Sequence, residues 1–334
     1  MAASLYTGTG AAQNIVNSGN NPAGVTFQPD FVWIKSRSTT TGNIVFNSIQ
    51  GVNKYYVTNS PAGVATGTNT LTAFNANGFS VDSDSGSLGV NLSAVSYVAW
   101  QWAAGAGVTA SNTNGTITST VCVNQSAGIS IVSYTGNGTN PATYGHGLNA
   151  APKIVLTFGG SGNGAEIFSN SAYNGSWTYL ATGTTAASTN ATPPAPTSTL
   201  VNLAASSLNN SNASAYLALC LAEVAGFSKF SNYTGNASTN GPFVYCGFRP
   251  RFLLIKRGDS TGNWYMWDTS RSQYNVMGEE LYPNLTTIGT VATDLDILSN
   301  GFKLRSTAAD LNASAGVYVF MAFAENPFNI SRAR

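Results

Sequence analysis

Phe27-Gln28-Pro29-Asp30-Phe31-Val32-Trp33-Ile34-Lys35 is a proline followed by a short aromatic and β-branched run. The run is too short for a membrane span and rich in strand formers, so it predicts a buried β-strand entered through a proline. Phe31 and Trp33 point to one face and Val32 and Ile34 to the other. Both faces are apolar, which predicts a central strand covered on both sides. Proline suits the entrance, where a missing N–H costs least. The pattern returns as Ala151-Pro152-Lys153-Ile154-Val155-Leu156-Thr157-Phe158 and as Arg249-Pro250-Arg251-Phe252-Leu253-Leu254-Ile255-Lys256. It marks the register of a module used three times. Leu156 and Leu254 stand where Trp33 does, so Trp33 reads as core filling.

The other landmarks keep step with this one. Each module opens on Tyr-Thr-Gly, at Tyr6-Thr7-Gly8, Tyr134-Thr135-Gly136 and Tyr233-Thr234-Gly235, where the glycine predicts a turn or bulge. A third strand follows each Pro-led one, at Asn43–Asn47, 165–169 and 263–268. Asn77-Gly78-Phe79 and Asn300-Gly301-Phe302 predict turns that launch strands in the first and third modules. Every module closes on one design, Tyr97–Ala103, Tyr216–Ala222 and Tyr318–Ala324. Val98, Trp100 and Trp102 share one face, as do Leu217, Leu219 and Leu221, and Val319, Met321 and Phe323. The opposite face starts with tyrosine and is mostly small thereafter. One face fills a core and the other lets a second layer approach closely, the logic of packed sheets. Asn212-Ala213-Ser214-Ala215, Asn312-Ala313-Ser314-Ala315 and the looser Asn91-Leu92-Ser93-Ala94 are read as the preceding turn.

No apolar period of 3.6 residues is sustained. The fold expected is all-β, three tandem β-sandwich modules of about 100 residues, each able to stand as an independent small sandwich. The boundaries are 1–106 for module one, 107–226 for a linker strand plus module two, and 227–334 for module three. Within the linker, Ile117, Val121 and Val123 alternate like an added strand. The stretch 181–199, with Pro193-Pro194-Ala195-Pro196, predicts an extended surface loop.

Composition narrows the function classes. Charged residues make up 8 % of the chain, against about 25 % in an average soluble protein. The polar surface must therefore come from Ser, Thr, Asn and Gly, a style that suits extracellular surfaces, fibres and viral coats. A net charge of +1 gives no electrostatic case for nucleic acid or an anionic membrane. Ten of the fourteen Lys and Arg lie from Phe227 onward, and between Asn124 and Gly226 only Lys153, Glu166 and Glu223 are charged. That middle third reads either as a packing surface or as a Thr/Asn-coated exposed module. Cys122, Cys220 and Cys246 are too few and scattered for a disulfide scaffold. The opening Met1-Ala2-Ala3-Ser4-Leu5-Tyr6 lacks the basic and apolar segments of a signal peptide, and no window spans a bilayer.

Tyr-Thr-Gly, the Pro-led Phe-Val-Trp-Ile-Lys strand, Asn-Gly-Phe and Tyr97-Val98-Ala99-Trp100-Gln101-Trp102 together resemble a repeat domain of tail-fibre-like and other structural proteins of tailed bacteriophages. Ser111–Val121, Ala127-Gly128, Ser133–Gly136 and Gly145-His146-Gly147-Leu148 resemble its inter-repeat join. The likeness covers most of the chain and is weakest in the second half of module two, which lacks Asn-Gly-Phe. It implies a concanavalin-like or jelly-roll β-sandwich and a place on a virion, with no catalytic residue, metal or cofactor to carry over. The expected partners are other virion proteins of capsid or tail, further copies of the chain, and a host surface glycan.

Candidate chemistry is thin. His146, the one histidine, sits between two glycines with no nucleophile elbow nearby. Asp82-Ser83-Asp84-Ser85-Gly86 resembles the start of a calcium loop, but position twelve is Ser93, so a hairpin turn is the reading. Glu279-Glu280 and Asp294/Asp296 could pair for glycoside cleavage. Adjacent strand residues face opposite ways, so solvated turn carboxylates are expected instead. Trp264, Tyr265, Trp267 and Tyr274 form the densest aromatic patch, a candidate sugar or partner platform. Phe46 stands at the place of Trp267, which makes that residue core. The expected function is a phage structural protein on the particle surface, a tail-fibre-type appendage or capsid decoration. No coiled-coil or β-helical shaft is legible, which favours a compact decoration or a tail-attached protein. A carbohydrate-binding module is the alternative, and a glycan-degrading enzyme the third reading.

Overall fold

Strand formers separated by Gly, Asn and Ser turns give an all-β chain. The computed structural model describes residues 1–17, 26–60, 62–84, 88–159, 166–173, 176–181, 193–203 and 209–327. The first unit holds β1 (Ala2–Thr7), β2 (Gln13–Val16), β3 (Phe31–Ser36), β4 (Asn43–Asn47), β5 (Lys54–Val57), β6 (Ala65–Thr66), β7 (Leu71–Asn75), β8 (Gly78–Val81) and β9 (Ser96–Trp102). The second holds β10 (Ala110–Asn112), β11 (Ser119–Asn124), β12 (Ile129–Thr135), β13 (Ala142–Gly145), β14 (Ile154–Gly159), β15 (Glu166–Tyr173), β16 (Ser176–Ala181), β17 (Leu200–Leu203) and β18 (Ala215–Leu221). The third holds β19 (Ser228–Thr234), β20 (Phe243–Tyr245), β21 (Pro250–Arg257), β22 (Trp264–Asp268), β23 (Glu279–Glu280), β24 (Thr290–Val291), β25 (Leu295–Leu298), β26 (Gly301–Leu304), one helical turn α1 (Ala309–Asn312) and β27 (Val317–Ala324).

Each unit has a large antiparallel sheet built around the same four strands, in the order β1-β9-β3-β4, β12-β18-β14-β15 and β19-β27-β21-β22. The opening strand pairs with the closing strand, which pairs with the Pro-led strand. The registers match as well. Tyr6 lies opposite Tyr97, Tyr134 opposite Tyr216 and Tyr233 opposite Tyr318. Trp33 faces Trp100, Leu156 faces Leu219 and Leu254 faces Met321. Smaller sheets, β2-β8-β7, β13-β17 and β20-β26-β25, complete the sandwiches. Of the linker strand expected from Ile117, Val121 and Val123, Val121 and Val123 lie in β11, which with β10 extends the second large sheet beyond β12, while Ile117 lies outside both and bridges to Tyr144 of β13.

The closing strands have two faces with two destinations. The tyrosine and small-residue face of β9, β18 and β27 packs on its own unit's small sheet. Tyr97 and Ala99 meet Phe79 and Val81 in one core; Tyr216, Ala218 and Cys220 meet Val201 and Leu203 in the second; Tyr318, Phe320 and Ala322 meet Phe302 and Leu304 in the third. The bulky faces of all three strands join a single fourth core shared by the whole chain. Here the expectation of independent sandwiches gives way. Phe31 and Tyr56 meet Phe158 at ring separations of 5.9 and 5.6 Å, joining units one and two. Trp100 and Trp102 meet Phe252 edge-on at 5.8 and 5.4 Å, joining units one and three. Strand β15 runs against β19 and β27, joining units two and three. The bulky faces are apolar because they face each other around a closed ring of units.

One corner recurs in every unit. Gly8, Gly136 and Gly235 lie so near the turn before the closing strand that a Cβ would sit 2.2, 2.4 and 2.3 Å from the carbonyl oxygens of Leu92, Ser211 and Ala313. Close approach, not an unusual turn, therefore requires the glycine of Tyr-Thr-Gly. Across the gap, Ala94, Ala213 and Ala315 donate N–H bonds to the glycine carbonyls while holding φ of 61°, 59° and 58°. The buried Asn91, Asn210 and Asn312 accept the N–H of Thr9, Asn137 and Asn236. The stacked tyrosine pairs close the corner. Tyr97, Tyr216 and Tyr318 hydroxyls accept the N–H of Leu92, Ser211 and Ala313. The counterpart of Asn312 is thus Asn210, six residues before its tyrosine, and not the Asn212 that the Asn-x-Ser-Ala string selects.

Two outcomes follow from this packing. Residues 1–106 expressed alone expose the Val98/Trp100/Trp102 face and are expected to aggregate or bind a hydrophobic dye, whereas the whole chain unfolds in one cooperative transition by calorimetry. Asn91→Ala, Asn210→Ala and Asn312→Ala each leave buried backbone groups unpaired, so each is expected to cost about 1–3 kcal/mol in denaturant titrations.

Candidate functional site

Glu279 and Glu280 form β23, and extension of that strand sends their carboxylates to opposite sides. Glu279 reaches out to the first unit, where Arg37 grips it with Nη2–Oε1 at 2.7 Å and Nε–Oε2 at 3.1 Å. The residues after Glu280 form a strap laid across unit one. Leu281 enters the shared core and exchanges backbone bonds with Met266. The carbonyls that follow accept from side chains of the first unit. Asn43 Nδ2 donates to Tyr282 and Leu285 oxygens, Thr58 Oγ1 to Pro283, and Lys35 Nζ to Leu285 and Thr286. Lys35 is fully buried there, and burial pushes its ammonium down to about 8. The strap returns through β24, which pairs with β23.

Glu280 turns inward and is 4 % exposed. Its Oε1 accepts from Tyr282 Oη and, at 2.8 Å, from Thr290 Oγ1. Its Oε2 has no hydrogen-bond partner among the described residues. Burial raises the Glu280 carboxyl above its ordinary value, the two hydroxyls pull it back, and neighbouring Asp294 raises it further. Asp296 belongs to a different pair, held at 2.6 Å by Arg305 Nε. The carboxylates expected to be solvated turn groups are instead tied down, and the pair that converges is Glu280 with Asp294. Glycoside cleavage needs two carboxyls on either side of an open cleft. Glu280 is closed in by tyrosine and threonine at the root of the strap, with no open cleft beside it among the described residues.

The remaining candidates are structural parts. His146 is buried, with Nε2 at 3.2 Å from the Thr197 carbonyl and Nδ1 accepting from Leu148 N–H. Burial lowers its pKa, against a smaller opposing pull from the Thr197 carbonyl. The loop expected at 181–199 lies outside the described residues over 182–192, and its final part closes over this histidine. Asp84 is 2 % exposed, and its carboxylate accepts three backbone N–H groups, from Leu88, Gly89 and Val90. It organises a turn, while Ser85 and Gly86 lie outside the described residues. Among the described residues no group of three or more His, Cys, Asp or Glu is placed to hold a metal. Burial pushes the Cys122 thiol up to about 11 and those of Cys220 and Cys246 up to about 12.

The dense aromatic patch does not form a surface. Trp264 lies in the shared core, Tyr265 and Trp267 lie in the core of unit three, and Tyr274 alone is exposed. The exposed aromatic pair is elsewhere, at Phe243 and Tyr245 on β20, 46 % and 61 % exposed. They flank the inward Val244, so the alternation Phe-Val-Tyr after Gly241-Pro242 carried the signal.

Glu280→Gln preserves the acceptor at Oε1 and removes the titration. A raised folded pKa makes the contribution of Glu280 fully present below the unfolded value of 4.5 and lost as pH rises through the folded value. The variant is therefore expected to flatten the fall in stability above that pH and to be the more stable form at neutral pH, measured as melting temperature against pH.

A family model described as a domain of unknown function, DUF7483, matches residues 1–327. No curated protein and no solved structure matches the chain. The match runs through all three repeat units, and the chain belongs to the DUF7483 domain family.

Proposed function

We propose that the chain is a structural protein of a bacteriophage particle, carried on the virion surface as a capsid decoration or tail-attached element. The observation that carries this reading is the combination of three repeated sandwiches locked around one core with a surface poor in charge. A body of that kind suits a role as a rigid, protease-exposed building block. The few charges near the candidate site serve the joints between units, at Arg37–Glu279 and Lys35, or buried turns, at Asp84. No catalytic role is assigned. The work is assembly and bracing, with capsid or tail proteins and further copies of the chain as partners and a host surface glycan as a further one. The resemblance of the Tyr-Thr-Gly, Pro-led and Tyr-Val-Ala-Trp-x-Trp segments to phage repeat domains supports the same reading.

A second reading, a carbohydrate-binding receptor module, is favoured by Phe243 and Tyr245, since exposed rings stack on sugar faces.

Electron microscopy of purified particles, with an antibody against the chain, tests the first reading. The expected result is regular labelling of the particle surface. Recovery of the chain only from the soluble fraction of infected cells overturns it. A glycan array probed with the chain then separates receptor binding from bracing alone.

A further inference from the structure

The repeat allows one place to be compared in three settings. On the outer face of each small sheet, Asn14 and Val16 of β2, Thr143 and Gly145 of β13, and Phe243 and Tyr245 of β20 are equivalent. Each pair flanks the residue that faces inward opposite Phe79, Val201 or Phe302.

Unit one leaves this place mixed, with Val16 42 % exposed beside a polar neighbour. Ser80 Oγ donates to Asn14 Oδ1 at 2.6 Å and accepts from Asn75 Nδ2 at 2.8 Å, a polar chain across the face. Unit two covers it with the chain's own linker. Gly115 and Ile117 bridge to Tyr144 along the free edge of β13. Ile117 N–H donates to the Thr143 carbonyl at 2.9 Å, and Thr116 and Thr143 exchange two further bonds. A Cβ on Gly145 would lie 2.2 Å from Asn112 Oδ1, so the linker also lies on the face. Unit three has neither arrangement. Its β20 is an edge strand paired only with β26, and its outer residues are two exposed aromatics. Lys303 stands opposite Phe243 on the same face. Its neighbour on the other side, Asp296, is taken by Arg305, and Lys303 has no ion-pair partner among the described residues.

We propose that β20 is a docking edge for an extended, carboxylate-bearing segment of a partner protein, which adds as a strand beside Phe243–Tyr245, packs on both rings and pairs its carboxylate with Lys303. The covered edge of unit two shows the kind of occupant. Open backbone on an edge strand recruits a further strand, and side chains on alternate positions give the specificity. The unpaired cation sets the sign of charge that the segment carries. Unit three cannot be served as unit two is, because only the short turn from Leu221 to Ser228 precedes it. The inference stands on the comparison of units and holds whether or not the chain resides on a virion.

The test is a selection of random linear peptides of about ten residues on the full chain, counter-selected on Phe243→Asn/Tyr245→Val, which carries the residues of unit one. An unchanged melting temperature shows that the variant folds. The expected result is a set of acidic peptides that slow hydrogen exchange in β20. Their affinity falls about tenfold or more in the double variant and in Lys303→Glu. Three results overturn the proposal. One is that no peptide survives counter-selection. Another is that soluble oligosaccharides bind instead and lose affinity in the same variants. The last is that the chain alone dimerises through this edge and the double variant is a monomer by light scattering.

Discussion

The fold depends on burial of three apolar strand faces against one another. Val98, Trp100 and Trp102, Leu217, Leu219 and Leu221, and Val319, Met321 and Phe323 each lie on the side of a closing strand turned away from its own small sheet. Left in water, each face would expose three large side chains in a row. Truncating one large buried aromatic costs about 3–5 kcal/mol, against a net stability of about 5–15 kcal/mol for a whole domain. Exposing a full face of this kind is therefore beyond what one small sandwich tolerates. The units are coupled because each supplies the cover that another lacks.

That coupling explains where the buried polar groups sit. Asp268 accepts from Trp100 Nε1 across the joint between units three and one, and is held on its own side by Arg271 Nε at 2.6 Å. Trp100 can then bury its indole N–H without an unpaired donor. Asp30, inside the opening Pro-led stretch, accepts the N–H groups of Ala104, Ala106 and Gly107. It fixes the direction in which the chain leaves unit one. A low-charge sequence spends several of its charges on these internal joints, and the surface is left to Ser, Thr, Asn and Gly.

Much of this is legible in the order of residues, and the limits have physical causes. A side-chain period of two makes the two faces of each closing strand visible, and the Pro-led strands fix the register of the repeat. What a face meets is a matter of tertiary geometry. A bulky face reads the same whether it fills its own sandwich or a core shared by three. Asn210 was hidden by a better string match two residues later, although the count of six residues back to Tyr216 singles it out. The strap of unit three is invisible because carbonyl oxygens do its binding to Lys35, Asn43 and Thr58, and carbonyls leave no mark on sequence. Glu280 and Asp294 meet through a hairpin return that no local pattern foretells.

The three units keep one interior and differ on the outside, and that contrast bears on function. The tyrosine stack, the asparagine, the close glycine and the left-handed alanine recur with the same partners, because any change there breaks a buried hydrogen bond or collides with backbone. The outer faces of the small sheets are under no such constraint. Asparagine and valine, a strand of the chain itself, and a pair of aromatic rings occupy the same place in successive units. Two rings held in water on an edge strand lose the burial that most large aromatics of the described strands obtain, a cost that the proposed docking of a partner strand would offset.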